Sequence, residues 1–160
     1  MIFKETKHNP DLYNTLLTLS RNIFFYKDLE FKDIYETRIY LMFFHYSIIL
    51  MISKIKGKRP DQNNYNSLFF YIENNLRELG FGDVSVNKKM KDFINLFYYI
   101  VEEIEKFDLD NHENQILLLK KYLNINKNLD FYVNYFNKYR LFLSKNTLNN
   151  FTKDIINLNF

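Results

Sequence analysis

The 160-residue chain has no cysteine, and it contains only three glycines and two prolines. Without cysteine it can form no disulfide, thiolate zinc site, iron–sulfur cluster or cysteine nucleophile. The scarcity of glycine and proline argues against a β-sandwich, which needs many turns, and against a disordered linker protein. Alanine and tryptophan are also absent, whereas the chain contains 22 asparagines, 17 phenylalanines and 13 tyrosines. This bias is typical of AT-rich codons, so the aromatic content need not reflect function.

Charge and hydropathy indicate a single soluble domain over residues 1–160. The net charge of +3 is too small to require nucleic acid as a partner, and no DNA partner is expected. The longest apolar run, residues 39–52, is shorter than the roughly 20 residues of a membrane span, so we expect a buried central helix there. No targeting segment is visible, because the first residues lack an apolar stretch and Glu5 and Asp11 argue against a transit peptide. A cytoplasmic protein is therefore expected.

Apolar spacing and capping residues predict an all-α bundle of six or seven helices joined by short loops. Asn9 and Pro10 are predicted to start a helix that ends near Phe25. Asp33 and Glu36 form a capping-box pattern for a second helix, which ends near Lys56 and is apolar nearly all round. The third predicted helix starts near residues 64–67 and ends at Leu79, and the fourth follows a Ser85 cap and runs from Val86 to Lys106. Three more are predicted: Asp110 to Leu123, Leu129 to Leu143 after an Asn128 cap, and Leu148 to Leu158.

No residues are spaced for catalysis or metal binding, so we expect a non-enzymatic protein without a cofactor. None of the three histidines, His8, His45 and His112, has a second histidine three or four positions away. His45 lies in the apolar second helix and is interpreted as a core histidine with satisfied hydrogen bonds rather than a haem or metal ligand. Gly80-Phe81-Gly82 lacks the third glycine of a phosphate-binding loop and follows a predicted helix, not a strand.

Residues 76–91 combine two features that point to a functional corner. Gly80 and Gly82 lie two positions apart, where we expect positive φ or close approach. Lys88, Lys89 and Lys91 crowd the predicted first turns of a helix, where the macrodipole disfavours cations by a few tenths of a kcal/mol each. An ordinary corner between two helices explains the glycines but not the lysines as well. The lysines leave RNA phosphate, anionic lipid and an acidic protein surface open as partners.

This segment resembles the signature of the ubiquinol–cytochrome c chaperone family, the assembly factors of respiratory complex III. The family core, LRE(M/L)GVGD(L/M)xVxK(K/R)(M/V)(K/R), is matched almost position for position from Leu76 to Lys91, with Phe81 in place of the usual valine. The resemblance covers residues 24–99, and the Gly-Arg that usually follows the family's Phe-Tyr is replaced by Tyr99-Ile100. Further positions agree with the family in order and spacing or in residue type: Phe25-Tyr26, Asp33, Arg38, His45, Glu73 and Phe97-Tyr98.

The resemblance implies a non-enzymatic chaperone that holds newly made cytochrome b, acting at the ribosomal exit region with a small partner subunit. It also implies a bacterial member in the cytoplasm, with peripheral contact at the inner-membrane face. The motif residues expected to bind a partner are Arg77, Glu78, Gly80, Phe81, Gly82, Asp83, Val84, Val86, Lys88, Lys89 and Lys91. Phe69 and Phe70 are expected to add apolar surface beside the corner, and structural or functional roles are expected for Asp33, Arg38 and His45.

Other interpretations of the same residues remain open at this point. Arg77, Glu78 and Asp83 could form an internal ion-pair network that fixes the corner rather than a contact surface. A ribosome- or RNA-binding module would use the same lysines, and its binding would fall steeply with salt. A helical carrier of haem, quinone or lipid would use the aromatic interior and would need a pocket of roughly 300–1,000 Å³.

Overall fold

The structure is a computed structural model, and it describes residues 7–27, 31–106, 111–123 and 126–145. All regular structure in these ranges is α-helical, which confirms the predicted all-α fold. The seven helices are α1 (Asp11–Ser20), α2 (Ile23–Lys27), α3 (Tyr35–Ile55), α4 (Gln62–Glu78), α5 (Asp83–Lys106), α6 (His112–Leu123) and α7 (Leu129–Lys145). The helix predicted over residues 148–158 lies outside the described residues.

Helix α3 is the central element of the bundle, as its apolar run predicts. Twelve of its 21 residues are buried, and it packs against α1, α5, α6 and α7. Among the described residues it is also the one helix long and apolar enough to cross a membrane by length and composition. Two thirds of its most apolar window is nevertheless buried by the other helices, which is the environment of a core helix.

Side-chain contacts fix the directions of the helices around α3. Helices α5 and α7 run parallel to α3, so the C-terminal ends of all three helices lie at one end of the bundle. Helix α4 runs back along α5, which places the connection between α4 and α5 at the opposite end. The contacts that set these directions are Phe43 with Phe97, Lys54 with Glu105, His45 with Tyr135, Lys56 with Leu143, Tyr65 with Tyr98, and Phe69 with Phe97.

The first predicted helix is wrong in its extent, because the chain breaks into α1 and α2. The Asn22 side chain accepts a hydrogen bond from the Phe24 backbone N–H at 3.1 Å, which starts a second short helix. The Tyr26 hydroxyl donates to the Ser20 carbonyl at 2.6 Å and holds the two pieces together. Pro10 occupies the N-cap of α1, so Asn9 lies one residue before the observed cap. The side-chain oxygen of Asn9 accepts a hydrogen bond from the Asp11 N–H at 2.9 Å.

Several predicted caps are also wrong, although the helices they were meant to start exist. Ile34 occupies the N-cap of α3 and makes no side-chain cap bond, since Asp33 pairs with Arg38 instead. Helix α4 is capped by Asp61, which accepts from the Asn63 N–H at 2.9 Å, rather than by residues 64–67. The side chain of Asn111 caps α6, and the predicted Asp110 lies outside the described residues. Asn128 does precede α7 as predicted.

Candidate partner-binding site

The candidate site is the corner, residues 76–91, where α4 ends and α5 begins. Gly80 has φ +93°, a backbone conformation that favours glycine. The Gly80 N–H donates to the Arg77 carbonyl at 3.0 Å and the Phe81 N–H donates to the Leu76 carbonyl at 3.3 Å. These two bonds form a Schellman motif, which confirms the left-handed cap predicted at Gly80.

Gly82 differs from Gly80: the expectation of positive φ is wrong for Gly82, whereas close approach at this position stays a prediction. A Cβ atom added at Gly82 would meet nothing within 4 Å, and its φ lies outside the left-handed region. Its carbonyl accepts from the Val86 N–H at 2.9 Å, an ordinary bond of the first helical turn. The fold therefore places no visible demand for glycine at position 82.

Helix α5 begins at Asp83, earlier than predicted, and this changes the interpretation of the lysines. Ser85 is part of the first turn rather than the cap, and Asp83 supplies an acid that the macrodipole favours there. Lys88, Lys89 and Lys91 fall in the second and third turns, where the dipole effect has largely decayed. The predicted dipole cost of these cations is therefore wrong, and the case for a partner must rest on the exposed surface itself.

The corner exposes three apolar side chains in a short stretch. Leu79 is 56% exposed, Phe81 38% and Val84 85%. The Nζ atom of Lys89 lies 4.8 Å from the centroid of the Phe81 ring, so the lysine packs over the ring as a cation–π pair. Lys88 and Lys91 are exposed. We call Leu79, Phe81 and Val84 the apolar corner patch.

Three of the other predicted surface residues lie elsewhere. Val86 is fully buried and Phe69 is 6% exposed, so the expectation that they present surface to a partner is wrong; both face inward and pack in the core. Phe70 is exposed to the same extent as Phe81, 38%, but it lies six residues before the corner begins at Leu76, and its ring stacks on His8 with the ring centroids 4.1 Å apart. Sequence analysis did not single out Leu79, whose signal was its position at a helix end beside a glycine.

An ion-pair network joins the two helices of the corner. Arg77 donates to the carboxylate of Asp83 on α5 and to Glu73 Oε1 on α4, the latter at 3.3 Å. Glu78 was predicted as a member, but Glu73 takes this place, and within the described residues Glu78 forms no ion pair. All these side chains are exposed, so the network stabilises the fold little and acts chiefly on the geometry of the corner.

The charge of the corner is small: residues 76–91 have a net charge of +2, and the adjacent carboxylates of Glu73 and Asp92 balance it. Residues 73–92 contain four cations, Arg77, Lys88, Lys89 and Lys91, and four carboxylates, Glu73, Glu78, Asp83 and Asp92. A surface with this balance does not attract polyanions by long-range electrostatics. It offers apolar area rimmed by charges of both signs.

His45 lies in the core and both of its ring nitrogens are hydrogen-bonded. The Leu41 carbonyl, 2.6 Å from Nδ1, can only accept, so Nδ1 carries the proton. Nε2 then accepts from the Tyr135 hydroxyl at 2.7 Å. Burial lowers the pKa of His45 to about 4, so the ring is neutral at pH 7. This confirms the interpretation of His45 as a satisfied core histidine.

Arg38 and Asp33 form an ion pair of 2.5 Å at the start of α3. The Asp33 carboxylate raises the pKa of the Arg38 guanidinium through this hydrogen bond. The pair lies at the end of the bundle where α5 also begins, and no hydrogen bond or ion pair of the described residues joins it to the corner.

The described residues hold no group of three or more histidines and carboxylates that could bind a metal ion. An apolar cavity between α3, α5, α6 and α7 has a volume of about 30 Å³. That is far below the roughly 300 Å³ at which small-molecule pockets begin. This cavity is too small for haem or quinone, whereas a cleft lined by Phe31, Ile34, Tyr40 and Tyr122 has a volume of about 380 Å³ and lies within the range of small-molecule pockets.

Comparison with known proteins gives one result for this chain. A family model described as Ubiquinol-cytochrome C chaperone matches residues 27–116. The matched range covers more than half of the chain and contains α3, α4, the corner and α5. No curated protein and no solved structure matches the chain.

Proposed function

The chain belongs to the ubiquinol–cytochrome C chaperone family, and on that premise we propose that it is a non-enzymatic assembly factor that binds newly made cytochrome b. Membership supports a chaperone or assembly role for complex III, and a chaperone acts on a client protein. Cytochrome b is the client that the family resemblance implies. The corner is the surface that we assign to this client.

The observation that supports this assignment is the exposure of the apolar corner patch inside the family motif. A membrane protein that has not yet entered lipid presents apolar segments to water, and a chaperone must cover them with apolar surface of its own. Leu79, Phe81 and Val84 provide such surface on a corner that Gly80 and the Arg77 network hold in one geometry.

The balanced charge of residues 73–92, which include the corner and its two flanking carboxylates, favours a protein client over RNA at this site. An RNA-binding surface neutralises phosphates with an excess of cations, and its binding falls steeply with salt. Residues 73–92 offer no such excess. The ribosomal exit region and a small partner subunit, which the resemblance also implies, are therefore proposed as partners of other surfaces. We place the protein in the bacterial cytoplasm, at the inner-membrane face, where a membrane-protein client is made.

The test is capture of cytochrome b made in a membrane-free translation system and released from ribosomes with puromycin. The double variant Leu79→Ser/Val84→Ser is compared with Ile23→Ser/Leu117→Ser, which removes two other exposed side chains (70% and 56%). We expect the corner variant to capture client at least roughly tenfold more weakly, because its apolar contact area is lost. Equal capture by the two variants, with both folded, would contradict the proposal.

A further inference from the structure

The end of the bundle opposite the corner carries a dense cationic segment that the proposed client site does not use. Residues 54–59 read Lys-Ile-Lys-Gly-Lys-Arg, four cations in six positions. We call residues 54–59 the basic tip. We infer that the basic tip is a docking surface for an anionic lipid bilayer, with its cations on lipid phosphates and Ile55 in the interface.

The basic tip is held in place by the ends of three parallel helices. Lys54 Nζ lies 3.4 Å from Glu105 Oε1 on α5, and Lys56 Nζ donates to the Leu143 carbonyl on α7 at 2.8 Å. Gly57, with φ +72°, turns the chain away from α3. The Gly57 N–H donates to the Lys54 carbonyl and the Lys58 N–H donates to the Ser53 carbonyl. These bonds give the basic tip a defined backbone conformation.

Part of this positive charge has an ordinary structural role, and part has none. Lys54 and Lys56 lie at the C-terminal end of α3, where cations interact favourably with the helix dipole. Lys58 and Arg59 follow the end of the helix, are exposed, and form no ion pair within the described part of the chain. The one carboxylate of residues 54–61, Asp61, is engaged in capping α4. Two cations at the tip are therefore available to an anionic partner.

Ile55 favours a bilayer over RNA as that partner. Its side chain is 74% exposed and lies between Lys54 and Lys56 in sequence. An exposed apolar side chain among cations is the pattern of peripheral membrane contact, where one signal reinforces the other. Single-stranded RNA is bound instead by aromatic side chains that stack on bases, and the basic tip contains none.

This inference rests on the inner-membrane placement proposed above and names the surface that makes the contact, which is separate from the client site. Helix α5 has 24 residues and runs from the corner to the basic tip, so the two surfaces are about 35 Å apart. A protein docked through the basic tip would hold the corner away from the lipid surface, accessible to a client.

The experiment is co-sedimentation of the full chain with phosphatidylcholine vesicles that contain about 30% phosphatidylglycerol, and with vesicles of phosphatidylcholine alone. The variant Lys58→Gln/Arg59→Gln is compared with Lys88→Gln/Lys91→Gln, which removes the same charge from the corner. Each cation near an anionic membrane surface strengthens binding roughly fivefold, so the tip variant should bind roughly 25-fold more weakly. The corner variant should stay within about twofold of the wild type, and Ile55→Ser should bind roughly tenfold more weakly.

Three outcomes would overturn the inference. One is no binding to the anionic vesicles at low salt, and another is an equal loss of binding in the tip and corner variants. The third is binding of a ribosomal RNA fragment that competes with the vesicles and is unaffected by Ile55→Ser, since that would identify RNA phosphate as the ligand. Client capture by the tip variant in the same membrane-free system should stay at the wild-type level whether or not this inference holds. Lipid binding and client capture are therefore separate readouts, and the two proposals are tested separately.

Discussion

The buried histidine predicts a specific loss of stability between pH 7 and pH 5. His45 is fully buried, and burial lowers the pKa of His45 to about 4, whereas the same side chain in the unfolded chain titrates near 6.5. Between these values the unfolded state binds a proton that the folded state excludes. Stability therefore rises with pH in this window and is lost as the pH falls from about 6.5 towards 4.

The expected magnitude follows from the two pKa values. Integrating the proton linkage gives a loss of about 2 kcal/mol in the free energy of unfolding between pH 7 and pH 5, and about 3 kcal/mol once the pH reaches 4. The range from pH 7 to pH 5 is the informative one, because exposed carboxylates titrate mainly below it. The hydroxyls packed on the ring, Tyr135 and Tyr139, do not interfere, since burial raises the pKa of each phenol further above this range.

The assay is urea unfolding at about pH 7, 6 and 5, and it compares the wild type with His45→Gln. The variant should lose about 2 kcal/mol less than the wild type over this range, because glutamine does not titrate. The control His112→Gln, at an exposed position, should keep the loss, since His45 is untouched. A wild type whose stability is flat from pH 7 to pH 5, or a His45→Gln variant that retains the full dependence, would refute the reasoning.

Three further predictions follow from single contacts. Tyr135→Phe leaves the buried Nε2 of His45 without its donor and should lower the free energy of unfolding by about 1–3 kcal/mol at pH 7, measured by urea unfolding. Gly80→Ala forces a side chain into positive φ and should cost about 1–2 kcal/mol, whereas Gly82→Ala should leave the melting temperature unchanged; equal effects would contradict the geometry. Arg77→Ala should keep a near-wild-type melting temperature yet weaken client capture, and unfolding of this variant would instead assign Arg77 a structural role.

Sequence patterns predicted which segments are helical better than where each helix begins. The central helix followed from one long apolar run, because a helix that is apolar all round has to be buried. The starts failed where several polar residues compete for the cap. Asp33 had a capping-box partner in Glu36 but pairs with Arg38, and Asp83 rather than Ser85 begins α5. Such choices depend on tertiary packing, which a local pattern does not contain.

For a related reason, the sequence does not predict which individual aromatic residues are exposed. Phe69 and Phe70 are adjacent in the chain, yet Phe69 packs on Phe43 and Phe97 in the core while Phe70 stacks on His8 near the surface. Neighbouring residues on a helix point about 100° apart, so a shift of one position decides which of them is buried. The sequence alone could nominate the pair as apolar surface but could not choose between them.

At the corner, one premise of the site prediction is wrong, and the site itself stays a prediction. The sequence predicts that the lysines cost helix stability, and the earlier start of α5 removes that cost. What distinguishes the corner in the structure is Gly82, a glycine that the fold does not require, beside Val84, an apolar residue that the fold leaves exposed. Because the fold does not require glycine at position 82, a contact with a partner can account for it. If Gly82→Ala keeps the wild-type stability and loses client capture, the client approaches the backbone at residue 82; if capture is unchanged, the contact is confined to the side chains of the apolar corner patch.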